Sequence, residues 1–190
     1  MWRPGGAAGG PITSPLLASG MEVGPLPTLH LMVGLPCSGK TTLARHLEQT
    51  YSALRLTTDD WHTRLFGQDA QDKDHDARHK LIESLLWDVA ARSLALGVDV
   101  ILDFGCWARG ERDDFRSRAR SLSADFKIHY TYASEEVLLE RLAERNTQLP
   151  DGVFQIPETS LRKWFLIFEP PSQEELAGCS EETGEGRIAG

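Results

Sequence analysis

The sequence predicts an α/β domain, a three-layer sandwich in which a parallel β-sheet carries helices on both faces. Three observations predict it. From residue 29 to residue 168, short apolar segments of strand length alternate with longer segments of helical period. A glycine-rich octapeptide, Gly34-Leu35-Pro36-Cys37-Ser38-Gly39-Lys40-Thr41, joins the first such strand to the first such helix. Asp59 and Asp103 fall, like Gly34, where strands run out, which is where sheets of this kind hold their ligands.

The elements follow in order. Leu29-His30-Leu31-Met32-Val33 reads as a short buried strand, and Thr42 to Glu48 as an amphipathic helix. Leu54 to Thr57 is a second strand, followed by a helical turn over Asp60 to Phe66. Asp76 to Leu96 places Leu81, Ile82, Leu85, Leu86, Val89, Ala90 and Leu94 at helical spacing, and Gly97 ends that helix. Val98 to Asp103 is a buried strand finishing on a carboxylate. A charged helix over Glu111 to Leu122 and an alternating strand over Phe126 to Tyr132 come next. Ser134 caps a helix running to Asn146, and Pro157 to Phe168 is a final helix stopped by Pro170-Pro171. Each parallel neighbour requires a crossover, and the helices supply it.

The octapeptide fits G-x-x-x-x-G-K-[ST], a loop that binds phosphate. Its glycines let successive backbone N–H groups converge on one anion, and the following helix points its positive end at the same place. Lys40 would reach the outer phosphates and Thr41 would ligate Mg²⁺, with Thr42 beside it in the first turn. Thr58-Asp59-Asp60-Trp61 follows the second strand, so Asp59 can face the γ-phosphate and accept a proton from a hydroxyl. Thr58 or Asp59 capping the next helix is an equally good reading of the pattern. Asp103 is placed to hold Mg²⁺ or its water shell. Arg141 and Arg145 lie one turn apart and could clamp phosphates, although Glu140 and Glu144 between them also fit a solvated face. Trp107 is a candidate substrate wall and His62 a candidate substrate contact. His62, His75 and His79 show no coherent metal-ligand spacing. Cys37, beside Lys40 at a helix N-terminus, reads either as an activated thiol or as an inert small residue.

The 190-residue chain has a net charge of −8, which argues against a phosphate backbone or an anionic membrane as partner. Three cysteines, odd in number and far apart, make no disulfide or zinc pattern and fit a reducing cytoplasm. No apolar run is long enough to span a bilayer. Residues 1–28, rich in Gly, Pro and Ala, read as a disordered leader with Met21 an alternative start. Residues 171–190 read as a disordered acidic tail. The domain between them spans 29–170, with a small lid around 141–156.

From Leu29 to Phe168 the chain resembles small bacterial ATP-binding proteins of the AAA-family type that are built as P-loop kinases. It is similar in layout to the kinase domain of phage-type polynucleotide kinases, and more loosely to zeta toxins and chloramphenicol phosphotransferase. The segments that carry this are GLPCSGKTTLAR, TTDDWHTRLF, VILDFGCW with RGERDDFRSRA after it, and LLERLAERN. The resemblance implies that Gly34 to Thr41 binds ATP with Mg²⁺ and that Asp59 is the general base of a DDY-type element. It implies that Asp103 supports that base or the metal, and that Arg145, helped by Arg141, reaches the ATP phosphates from a lid. The polynucleotide kinases carry an arginine one residue after the aromatic of that element; here the position is His62, with Arg64 two further on. A hydroxylated small molecule is therefore the expected acceptor. A plain ATPase or nucleotide-gated regulator, and a polynucleotide 5′-hydroxyl kinase, are the alternatives.

Overall fold

The computed structural model describes residues 25–177. Residues 1–24 of the leader expected over 1–28, and residues 178–190 of the tail expected over 171–190, lie outside the described residues, while Thr28 already belongs to the first strand. Four strands, β1 (Thr28–Val33), β2 (Leu54–Leu56), β3 (Val100–Gly105) and β4 (Asp125–Tyr130), form one parallel sheet in the order β2-β3-β1-β4. The helices are α1 (Lys40–Tyr51), α2 (Thr58–Phe66), α3 (His75–Ala95), α4 (Arg109–Ser121), α5 (Glu135–Thr147), α6 (Glu158–Ile167) and α7 (Gln173–Ala177).

Strand alternation sorts the core onto two faces. Leu29, Leu31 and Val33 point to one face with Val100 and Leu102, and pack against Ile82, Leu86, Ala90 and Leu94 of α3 and Ala119 of α4. Met32 and Ile101 point to the other face, against Ala44 and Leu47 of α1. A third cluster gathers Leu35, Leu138, Leu142, Ile156 and Leu161 under α5 and α6. Removing side chains of this kind from water stabilises by about 1.5–3 kcal/mol each.

Several expectations shift. Helix α3 buries only the Ile82-Leu86-Ala90-Leu94 row, while Leu81, Leu85 and Val89 are exposed, because a single sheet face covers one stripe of a helix. Strand β3 runs two residues past Asp103, since Val33 pairs with Gly105. The acidic tail does not start at residue 171. Residues 173–177 form α7, and Glu175 is 2% exposed. What holds it there is Arg112 of α4, itself 1% exposed. Its Nε and Nη2 donate to Glu175 Oε1 and Oε2 at 2.8 and 3.3 Å, and its Nη1 donates to the carbonyls of Trp107 and Glu169. Proline ends α6 as expected, but a long-range ion pair then recaptures the chain. Among the described residues no helix is long and apolar enough to cross a membrane.

Candidate active site

The phosphate loop is shaped by close approach. Gly34 has φ 147°, and a Cβ there would lie 2.5 Å from the carbonyl oxygen of Thr131 and 2.8 Å from Ser38 Oγ. Only glycine permits the end of β1 to turn so tightly beneath the segment following β4. Gly34 N–H donates to Gly105 O at 3.2 Å, and Ser38 Oγ shares a 2.7 Å hydrogen bond with Thr131 Oγ1. Gly39, at φ 100°, precedes α1 and offers no side-chain cap, so the amides of the first turn point into the loop without a side-chain acceptor. Lys40 Nζ donates to Leu35 O at 2.8 Å across the loop. Burial lowers the Lys40 pKa, against the opposing pull of Asp103 and Asp59.

Asp103 lies beside this loop at a local register shift: Leu31 pairs with Leu102 and Val33 with Gly105, so Asp103 and Phe104 stand opposite Met32 alone. Such a bulge re-aims a side chain at a strand end. The Asp103 side chain is 1% exposed and its Oδ2 has no hydrogen-bond partner, with Arg55 Nη1 3.5 Å away. Burial raises its pKa, while the Thr41 hydroxyl bond, Lys40 and Arg55 act to lower it. An underbonded buried carboxylate joined to a threonine hydroxyl is a donor set suited to Mg²⁺. Arg55 was missed in the sequence. It leaves β2 14% exposed and reaches Glu48, Asp60, Thr57 and Asp103, so it braces three acids around the site. A lone arginine in a three-residue strand gives no sequence signal.

Asp59 sits in the first turn of α2, whose N-cap is Thr57 without a side-chain cap bond. The capping reading of Thr58 and Asp59 therefore fails. The Asp59 carboxylate is 47% exposed, with His79 Nε2 3.8 Å away. Its neighbour Asp60 lines a cleft of about 660 Å³ with Thr63, Arg64, Gly67, Gln68 and residues 149–152. Of the two loops 67–76 and 104–110, the first lends residues 67 and 68 to the cleft and the second lends none.

From above, Arg141 Nη1 donates to Cys37 O at 3.3 Å, and Arg145 Nη2 to Phe154 O at 3.4 Å, with Arg145 Nε buried and without a partner. Arg145 is half-buried and Arg141 exposed, and the charges of both reach Cys37 in the loop. Cys37 differs from the activated-thiol expectation. Burial raises its pKa, and this outweighs Arg145, Lys40 and Arg141. Trp107 does not line the cleft; it is half-buried against Trp164, with ring centroids 5.2 Å apart, at the third core cluster. His62 is 0% exposed and so contacts no substrate. The missing constellation also exists: His62, Asp69 and His75 bring ligand atoms within 4.8 Å of one another, through an aspartate the histidine spacing did not include.

The strand–loop–helix order and the parallel sheet with its surrounding helices describe a P-loop fold, and the sequence profile of the AAA domain matches residues 29–171. The chain belongs to the AAA-domain family. No curated protein sequence matches it. Among solved structures, this AAA-domain chain is similar to a provisionally assigned kinase from Chloroflexus aurantiacus J-10-fl, with TM-score 0.64 and 20% identity over 78% of this chain and 84% of that one. It is similar to a chain of the Pnkp1/Rnl/Hen1 RNA repair complex, with TM-score 0.63 and 23% identity over 78% of this chain and 46% of that one. Chaetomium thermophilum Kti12, solved with ADP-AlF3, gives TM-score 0.60 and 20% identity over 78% and 85% of the two chains. These likenesses show the P-loop kinase fold.

Proposed function

We propose that this AAA-domain protein is an ATP-dependent kinase that moves the γ-phosphate of ATP to a hydroxyl of a small polar molecule. The observation that carries this is Asp59. Its half-exposed carboxylate performs no cap, lies within electrostatic reach of Lys40 and Asp103, and adjoins the cleft through Asp60. A base in that position has one evident use, taking the proton of an attacking hydroxyl.

The octapeptide backbone and Lys40 would bind the phosphates, while Arg141 and Arg145 neutralise charge from the lid side. Thr41 and Asp103 would hold Mg²⁺, which supplies charge neutralisation on the phosphates. The cleft lining of Asp60, Thr63, Arg64, Gln68 and Asp151 supplies acceptors and donors suited to several hydroxyls. Kinase-fold relatives include a protein solved with shikimate and a gluconokinase, which is consistent with a small hydroxylated acceptor. Arg64 in the cleft favours one second reading, a 5′-hydroxyl polynucleotide acceptor, but Asp60 and Asp151 oppose a phosphate backbone there.

The test is transfer from γ-labelled ATP to a panel of hydroxylated metabolites and to 5′-hydroxyl oligonucleotides. A labelled small-molecule product supports the proposal. Labelled oligonucleotide supports the second reading, and phosphate release alone, unaffected by any acceptor, overturns both in favour of an ATPase.

A further inference from the structure

Beside the acceptor cleft, three elements converge on one carboxylate oxygen. His62 comes from α2, Asp69 from the connection after it, and His75 from the first turn of α3. Asp69 Oδ1 lies 2.9 Å from His62 Nε2 and 2.8 Å from His75 Nδ1. The other oxygen, Oδ2, accepts a 2.7 Å hydrogen bond from Arg78 Nη1. Arg78 is in turn balanced by Asp72 and Asp74, at 3.3 and 4.0 Å.

His62 is the telling member. It is 0% exposed, yet its Nδ1 has no partner, and its Nε2 approaches Asp69 Oδ1 at 2.9 Å without the alignment of a good hydrogen bond. Leaving a buried imidazole nitrogen unsatisfied costs about 1–3 kcal/mol. Phe66 and Phe154 pack edge-to-face with the His62 ring, with centroids 5.4 and 5.1 Å away, and give it an apolar wall.

We propose that His62, Asp69 and His75 bind one divalent ion of the late first-row kind, Zn²⁺ foremost, separately from the Mg²⁺·ATP site. Two imidazole nitrogens and one monodentate carboxylate oxygen are a zinc donor set, and Mg²⁺ or Ca²⁺ would be poorly served by it. Arg78 is the outer partner that fixes the carboxylate with Oδ1 turned inward, and the two phenylalanines form the apolar wall around it. Tetrahedral zinc sets neighbouring ligand atoms about 3.3 Å apart, so loading opens the two short edges by roughly half an ångström. The ion would tie α2 to the start of α3. His79, one turn after His75, stands 3.8 Å from Asp59, so the tie holds the proposed base from behind. The site itself does not depend on the kinase reading.

The test uses the full chain, stripped with EDTA, in reductant, with Mg²⁺ present and no nucleotide. Calorimetry with Zn²⁺ is expected to give one equivalent per chain and a raised thermal midpoint. His75→Ala, at a half-buried position, is expected to keep the metal-free midpoint and lose Zn²⁺ affinity by at least about 100-fold. His46→Ala, at an exposed position on α1, is expected to bind as the wild type does. X-ray absorption of the zinc-loaded wild type is expected to show two imidazoles and no sulfur, which reads the ligands even if His75→Ala does not fold. No stoichiometric binding, wild-type affinity in a folded His75→Ala, or a sulfur-ligated zinc each overturns the proposal.

Discussion

The phosphate loop and the cleft beside Asp60 are built in opposite ways. The phosphate side is one contiguous octapeptide between β1 and α1, completed by Asp103 from the neighbouring strand. The proposed acceptor side is assembled from α2, the connection to α3 and residues 149–152, which lie more than eighty positions further along the chain. A phosphate is the same shape in every nucleotide, so a fixed backbone curl can hold it and the spacing becomes readable. An acceptor pocket has no such constraint, and its residues meet only through tertiary packing.

The largest effect should come from the contiguous side. Lys40→Ala is expected to lower turnover by at least about 10³-fold and weaken ATP binding, with the fold retained, because in the proposed reaction the lysine would face the transferred charge. Calorimetry with ATP and steady-state kinetics decide it; unchanged ATP affinity would break the phosphate-side reading and everything placed on it.

Across the cleft, Asp59→Asn is expected to leave ATP affinity as it is and lower transfer by about 10²–10⁴-fold. In the proposed reaction the carboxylate acts only when a hydroxyl attacks, so single-turnover transfer and nucleotide binding should separate cleanly. Equal losses in both would move Asp59 to the phosphate side and erase the contrast between the two walls.

This contrast also marks what was legible. The alternation of strands and helices was readable because period and burial agree, as in Leu29-Leu31-Val33 and Ile82-Leu86-Ala90-Leu94. Asp103 was readable because a buried strand delivers it, although its bulge was not. Arg55, Asp69 and Glu175 were not readable. Each takes its meaning from a partner distant in sequence or hidden in a loop, and charge runs of that composition are ordinarily solvated. Cys37 misled for a related reason: its cationic neighbours are visible in sequence, whereas the burial that outweighs them is not.

Glu175 sharpens the point at a third location. Glu175→Ala would leave Arg112 buried and uncompensated, and is expected to destabilise by about 3 kcal/mol in urea denaturation. Arg112 also holds the carbonyls of Cys106 and Trp107, so the loop following Asp103 should loosen with it. Stability within about 0.5 kcal/mol of wild type would return residues 173–177 to the solvated tail that their composition suggests.

The smallest expected effect sets the histidines of the two regions against each other. In the sheet beneath the phosphate loop, His30 Nδ1 and His129 Nε2 meet at 2.9 Å, and burial, with the nearby Lys127 charge, holds both rings down at a pKa of about 4. The unfolded chain takes up protons first, so stability falls as pH drops from 6.5 towards 4, by about 2 kcal/mol per independent imidazole at pH 5. On the acceptor side the Asp59 carboxylate raises the pKa of His79, which reverses the sign. That contribution is complete below 6.5 and is lost as pH rises through the folded value. In EDTA, His129→Gln is expected to flatten the acid limb of the stability profile, and His79→Gln to flatten the limb above pH 6.5. An acid limb unchanged in His129→Gln would show that the sheet pair is not what makes the chain acid-labile. A high-pH limb unchanged in His79→Gln would show that Asp59 is not coupled to the helix behind it, leaving the base to be positioned by α2 alone.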